Sequence, residues 1–551
     1  MCLIMHYCRR TIKRYPKAFL RATGLIIFIT LMSAFIPYGT RAFLEHVVAE
    51  AHYGYAALGI LAFAVYLMLK TLVDIRWYRL LDELGGLCIT DLSTELETAL
   101  GETFQSDIDS EECGKIKHTM YADVLDVFRV VGHHIPTLLG SMAVIAASLL
   151  LAAFYDFALM LFILGALALG TLLSVAGKKM IAQKAGCTNL KLKAHHALCD
   201  QYVDSIPLVQ TNPVLPYFRN KTKNSIHDFI TTSQKEDGVQ VFWTEAVSHY
   251  NTLFRLALST LLAMPAAGGS IVNLVFFITL ADIIMSEGQK SQLLMQQIIR
   301  AQVSFENVDR LLHLPKRQGS VRLSQISEIA FEGVCFSYQE NHSEILQNIS
   351  CTLHSGENIR LTGTNGSGKS TFIKLLTGVY APQKGSLTLN GKPIGAYSLD
   401  SLQEQMLILN QDEILLNEPL LTYLETVCGG SFDREKAKEI LHFTSLDRED
   451  AVIENNGLSL SGGQRKKLLF AKLLLRWEKA SVIILDEPEA GLDKVMLQKY
   501  IDFLCRMFAA HNKIIIVAAH TIDSELHFDR ILHFACGNIT NDNFTSDNYP
   551  S

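Results

Sequence analysis

The sequence predicts a multidomain chain in two parts, an all-α membrane domain of six helices followed by an α/β domain built on a phosphate-binding loop. Three observations predict it. Six long apolar runs lie within the first 290 residues, short β runs alternating with helices begin near 328, and one glycine-rich loop sits between a strand and a helix. Composition agrees, since 49% hydrophobic and only 19% charged residues suit a chain that is part membrane and part water-soluble. The net charge of −6 is spread without a basic stripe, so no nucleic-acid partner is expected. Eleven cysteines are scattered without a C-x-x-C pair, which signals neither a zinc ribbon nor a disulfide framework.

The six runs cover about 18–44, 54–78, 134–153, 156–176, 243–266 and 271–290. Each is near or above the ~20 residues that cross a hydrocarbon core. Lys and Arg crowd the N-terminal segment (Arg9, Arg10, Lys13, Arg14, Lys17, Arg21) and the connection from 177 to 240, whereas the turns at Tyr155-Asp156 and Gly268-Gly269-Ser270 carry none. Positive residues stay inside, so the N-terminus, both long connections and the C-terminal half are expected in the cytoplasm. No cleavable signal peptide is evident.

The connections 79–133 and 177–242 read as helical extensions, with periodic apolar residues and few Pro or Gly. Each holds one break, Ser106 to Gly114 in the first and Pro207, Pro213 and Pro216 in the second. Short crosswise helices that touch a soluble domain are expected there. Arg255 and Asp282 each lie about 13 residues from the outer Gly268-Gly269 turn, or roughly 20 Å at the helical rise. Two charges at mid-membrane depth imply an ion pair, which either lines a path or ties two helices together. His133-His134 and His195-His196 point apart on a helix and are read as surface or junction residues, not metal ligands.

The second part carries the chemistry. After the apolar run 358–362 come Gly363, Thr364, Asn365, Gly366, Ser367, Gly368, Lys369, Ser370 and Thr371, leading into a helical pattern. Glycines let successive N–H groups face one anion, Lys369 reaches β/γ-phosphates, and the Ser370 hydroxyl suits Mg²⁺. About 120 residues on, the apolar strand from Ser481 ends in Asp486 and Glu487. Asp486 can orient Mg²⁺ through water, and Glu487 can polarise an attacking water. Between them Ser461, Gly462, Gly463 and Gln464 open another helix, a second anion cradle. One site needs one cradle, so the second suggests two copies closing over shared nucleotide.

These motifs, with Gln411 in Leu409-Asn-Gln-Asp412, Gly491-Leu492-Asp493 and His520 after the strand 514–519, stand in the order and spacing of ATP-binding cassette (ABC) transporters. The chain resembles an exporter-type half-transporter along nearly its whole length. The resemblance implies a type I ABC exporter fold followed by a P-loop NTPase cassette, with domains at 1–314 and 328–551 joined by a linker at 315–327. It implies ATP and Mg²⁺, the metal held by Ser370, Gln411 and, through water, Asp486. Glu487 is then the general base, His520 the γ-phosphate contact, and Asp493 part of the link between subunits. Tyr338 stacks on adenine, or else is a core aromatic. Ser461 to Gln464 grip nucleotide held by the other subunit.

One departure is Asn455, which stands where exporters usually carry a glutamate that meets a coupling helix; Glu454 is the nearest substitute. Thr521-Ile-Asp523 likewise follows the histidine where Arg often stands. The hydrolytic set is untouched, which favours a homodimer over a heterodimer. The function implied is ATP-driven export of a small amphipathic or peptide-like substrate across a membrane, the bacterial cytoplasmic membrane being expected. An ATP-gated channel or regulator, or an importer on the same plan, are the alternatives. No protease domain precedes the membrane half, which disfavours a peptide exporter that trims its own leader.

Overall fold

The computed structural model describes residues 2–46, 56–110, 113–263, 271–317, 319–338, 344–410, 413–429, 432–446, 451–457, 459–487, 492–509, 512–518 and 526–544. The chain divides into two compact units, one of Met1–Thr94 with His118–Asp309 and another of Glu95–Lys117 with Arg310–Ser551.

The described residues up to Leu312 are almost entirely helical. The helices are α1 (Cys2–Arg14), α2 (Pro16–Leu44), α3 (Ala56–Gly101), α4 (Gln105–Ser110), α5 (Cys113–His118), α6 (Val124–Phe128), α7 (Ile135–Tyr155), α8 (Phe157–Asp204), α9 (Ile206–Thr211), α10 (Leu215–Ala263), α11 (Ile271–Arg300) and α12 (Gln302–Leu312). Wider π-helical turns flank α6. The long helices carry the predicted apolar runs, and α3, α8 and α10 continue well beyond membrane length, as the periodicity of the two connections requires.

In the first unit α7 packs on α2 and α11, and α8 runs along α10. Phe254 and Leu258 of α10 meet Phe276, Leu280 and Ile284 of α11 in one buried cluster. Gly132 permits a close backbone approach, because a Cβ there would stand 2.7 Å from the Gly85 Cα of α3. Asp156 caps α8 by accepting from Ala158 N (2.9 Å) and Leu159 N (3.1 Å), so the predicted outer turn is a tight corner.

Among the described residues five helices are long and apolar enough to cross a membrane. The sequence predicts six. The fifth run lies in α10 and is helical to Ala263, but His249, Asn251 and Arg255 dilute its described part below membrane hydropathy. The Gly268-Gly269-Ser270 turn lies outside the described residues.

The second unit is two-layered. Its strands and helices are β1 (Glu328–Phe336), β2 (Leu346–His354), β3 (Asn358–Gly363), α13 (Lys369–Leu376), β4 (Lys384–Leu389), β5 (Lys392–Pro393), α14 (Leu399–Gln405), β6 (Met406–Leu409), α15 (Leu420–Cys428), α16 (Arg434–Phe443), α17 (Gly462–Arg476), β7 (Val482–Asp486), α18 (Lys494–Phe508), β8 (Ile514–Ala518), β9 (Arg530–Ala535) and β10 (Asn538–Phe544). One sheet runs β10-β9-β3-β8-β7-β6, parallel except for the β10 edge. A smaller antiparallel sheet runs β2-β1-β4-β5. All five residues of β8 are buried, the mark of a parallel strand covered on both faces.

The break at Ser106–Gly114 belongs to this unit. The Gln105 N–H donates to Val379 O (2.9 Å), the Arg317 N–H donates to Glu102 O (2.9 Å), and the Arg317 guanidinium lies 4.6 Å over the Phe104 ring. The Tyr380 hydroxyl donates to Asp109 of α4. The expected short helix therefore touches the α/β body. The second break forms α9, none of whose residues is buried.

Candidate nucleotide-binding site

Three positive φ values shape the loop between β3 and α13: Gly363 at +141°, Gly366 at +78° and Gly368 at +109°. A Cβ on Gly363 would sit 2.3 Å from Phe534 O, so glycine is required there both for conformation and for space. Lys369 folds back over the loop, its Nζ donating to Gly363 O (2.7 Å) and Thr364 O (3.1 Å). Ser367 is 3% exposed, and its Oγ has no hydrogen-bond partner among the described residues. An ammonium held on carbonyls and a spare buried hydroxyl fit phosphate oxygens well.

The same loop forms one wall of a cavity of about 530 Å³. Asn365 to Thr371 line it, and Asp486 and Glu487 face them from the end of β7. β3 and β7 flank β8 in register, which is why motifs some 120 residues apart meet. Glu487 adopts φ +46°, a left-handed conformation that costs a non-glycine residue about 1–2 kcal/mol. Two bonds hold it there: its N–H donates to Ala518 O (2.8 Å), and Lys466 Nζ donates to its carbonyl oxygen (3.0 Å).

Tyr338 lies beside the cradle, its hydroxyl 3.2 Å from Thr371 Oγ1. Its ring stands edge-on to Phe336 and Tyr380, and it keeps 39% exposure, so it is no buried core aromatic. Lys374 Nζ sits 5.2 Å from its ring centre, a cation–π contact. Asp493 caps α18 by accepting from Met496 N (2.9 Å) and pairs with Lys467 (3.2 Å). The bond from the Met496 N–H, followed by Lys467, holds its carboxyl below the usual carboxylate range.

Ser461 and Gln464 form a reciprocal capping box, the Gln464 N–H donating to Ser461 Oγ (3.2 Å) and the Ser461 N–H to Gln464 Oε1 (2.9 Å). This helix start, with Gly462 and Gly463, is not among the residues lining the cavity; Ser461, Gly462 and Gln464 are exposed. Gln411 and His520 lie outside the described residues, as does Gly491. Sequence reasoning missed Ile345, Leu361 and Ala518 in the cavity wall, Lys466 on the Glu487 carbonyl, and Tyr380 and Lys374 against Tyr338.

Residues 346–490 match the family model of the ABC transporter domain. That segment is an ABC transporter domain. It follows a helical region in which, among the described residues, five helices are long and apolar enough to cross a membrane, the arrangement of a multi-pass membrane protein. The solved structure of a bacterial Atm1-family ABC exporter with ATP bound superimposes with a TM-score of 0.83 over 96% of this chain and 95% of that one. Sequence identity is 16%, so the likeness is one of fold. The ATP-dependent lipid A-core flippase of Photobacterium profundum is 32% identical over 243 residues, 42% of this chain and 40% of the flippase. The subtilin transport ATP-binding protein SpaT of Bacillus subtilis is 29% identical over 50% of this chain and 47% of its own length. The glutathione/L-cysteine transport system ATP-binding/permease protein CydC of Haemophilus influenzae is 31% identical over 38% of this chain and 37% of its own. The chain thus spans less than half the length of the curated relatives it matches.

Proposed function

We propose that this chain is an ABC half-transporter, one half of an ATP-driven exporter that hydrolyses ATP at two shared sites of a dimer. One observation carries the reading. The phosphate loop and the Asp486–Glu487 pair line a single cavity, while the Ser461 helix start faces outward. An exposed cradle of backbone N–H groups suits an anion held by a second chain. A homodimer is favoured because this chain carries both halves of such a site.

In this reading Lys369 exchanges the carbonyls of Gly363 and Thr364 for phosphate oxygens, and Ser367 Oγ gains its missing partner. Tyr338 offers its exposed ring to adenine. Ser370, Gln411 and, through water, Asp486 would hold Mg²⁺, which neutralises phosphate charge and fixes the leaving group. Glu487, with its backbone fastened to β8 and Lys466, takes a proton from the attacking water. His520 contacts the γ-phosphate, and Asp493 at the start of α18 joins the link between subunits. The helix α4 passes cassette movement toward the membrane helices.

The substrate is expected to be small and amphipathic or peptide-like; among the relatives' names, lipid A-core is amphipathic and glutathione is peptide-like. The bacterial cytoplasmic membrane, with the cassette inside, fits the distribution of Lys and Arg. The test is Glu487→Gln in lipid discs. It should bind ATP and dimerise normally while turnover falls at least about a hundredfold, the usual worth of a general base. Undiminished hydrolysis would refute the assignment, and substrate accumulation in inverted vesicles decides the direction of transport.

A further inference from the structure

We propose that a polar pocket inside the membrane domain binds a zwitterionic group of amino-acid type carried by the transported molecule. The proposal rests on the export reading above. The pocket lies between α2, α3, α7 and α11, and its volume is about 100 Å³. Pockets for drug-sized ligands run to about 300–1,000 Å³, so only a small head group fits.

Four charges line it. Lys70 and Asp74 come from α3, and Glu287 and Lys290 from α11. Ionisable side chains within membrane helices are rare and costly, which points to a task for them. Helix tying is not that task. Lys70 Nζ pairs with Asp74 Oδ2 at 2.8 Å and Lys290 Nζ with Glu287 Oε2 at 3.6 Å, each within its own helix, so neither pair fastens α3 to α11.

The formal charges of the lining cancel, two ammonium groups against two carboxylates. A ligand of net charge would find no surplus counter-charge. A zwitterion can set its carboxylate on one lysine and its ammonium on one acid, leaving the pocket neutral. Two further groups favour the carboxylate. Trp77 Nε1 and Ser141 Oγ line the pocket, their residues are 5% and 2% exposed, and neither has a hydrogen-bond partner among the described residues. A buried donor left unmade is costly, and a carboxylate oxygen answers both.

The experiment uses the full-length protein in lipid discs and three probes of one size: L-serine as zwitterion, L-lactate as anion and ethanolamine as cation. L-Serine should bind saturably, and the other two at least about tenfold more weakly. Asp74→Asn and Ser141→Ala should each weaken L-serine binding several-fold. The charge-swapped variant Lys70→Asp/Asp74→Lys, which keeps both charges, should recover most of it, separating recognition from misfolding. Equal binding of L-lactate or ethanolamine, no saturable L-serine binding, or indifference to both single substitutions would overturn the proposal. ATP hydrolysis without any probe is measured in parallel. Its absence in the unmodified protein would refute the export reading while the binding data still decide the pocket.

Discussion

Tyr380, two residues beyond Gly378 on the loop after α13, donates its hydroxyl hydrogen to the Asp109 carboxylate of α4. The same ring stands edge-on to Tyr338 at 5.4 Å and lies under Lys374 at 5.7 Å. One side chain therefore touches both the ring beside the phosphate cradle and the short helix cut from the first long connection.

That contact should be measurable in stability. Tyr380→Phe and Asp109→Asn are each expected to cost about 0.5–1.5 kcal/mol, and the double variant little more than either. Thermal unfolding of the four proteins checks this. Burial and, second, the bond to Asp109 raise the Tyr380 phenol above its ordinary value of 10.0. The unfolded chain then gives up the proton first, so stability is full below about pH 10 and falls above it. Tyr380→Phe should show a smaller alkaline loss.

Gly363 and Gly462 predict opposite behaviour. At Gly363 a Cβ meets Phe534 O with φ at +141°, so Gly363→Ala should cost about 1–3 kcal/mol and abolish ATP binding. At Gly462 a Cβ meets nothing within 4 Å. Gly462→Ala should fold and bind ATP normally, yet, on the proposal that a second chain's nucleotide approaches there, lose turnover at least about tenfold. ATP binding and hydrolysis, measured on both variants, separate the two cradles.

A buried ion pair underlies the segment after Gln411. Lys472 Nζ meets Glu413 Oε1 at 2.5 Å, with side-chain exposures of 10% and 15%, and also donates to Ile408 O at 3.3 Å. Lys472→Met leaves Glu413 charged and unpaired, which should cost about 3–5 kcal/mol. The double variant Lys472→Met/Glu413→Gln should recover much of that loss in a thermal melt. Equal instability of both would show that packing, not charge, governs the site.

In the membrane domain Arg255 Nε lies 2.7 Å from Asp282 Oδ1, joining α10 to α11. The predicted pair forms. If it serves transport, Asp282→Asn should lower substrate-stimulated ATP hydrolysis while the protein stays monodisperse and keeps its melting point. If it ties helices, the melting point falls and hydrolysis follows only through loss of folded protein. Both readouts unchanged would remove the pair from either role.

The phosphate loop was legible because its chemistry is local: glycines at 363, 366 and 368 set the backbone, and Lys369 follows on the next helix turn. The membrane helices were legible for a similar reason, apolar length. The fifth was less so, since His249, Asn251 and Arg255 make the described part of α10 a helix by propensity and packing rather than by hydropathy. The Tyr380–Asp109 bond was not legible at all, because 271 positions separate its partners. No period or spacing carries information across that distance.

By itself, then, the sequence determined the order of domains, the helical course of both connections and the residue types of the phosphate cradle. These depend on neighbours within a few turns or on bulk hydropathy. Only the tertiary structure decided that Asp486 and Glu487 close the cradle's cavity, that Ser461 faces outward, and that α4 packs into the α/β body. Strand order, burial and side-chain contact arise from packing across the whole unit. The left-handed turn at Glu487 shows the reason: no local preference favours it, and it persists because β8 and Lys466 hold its backbone from both sides.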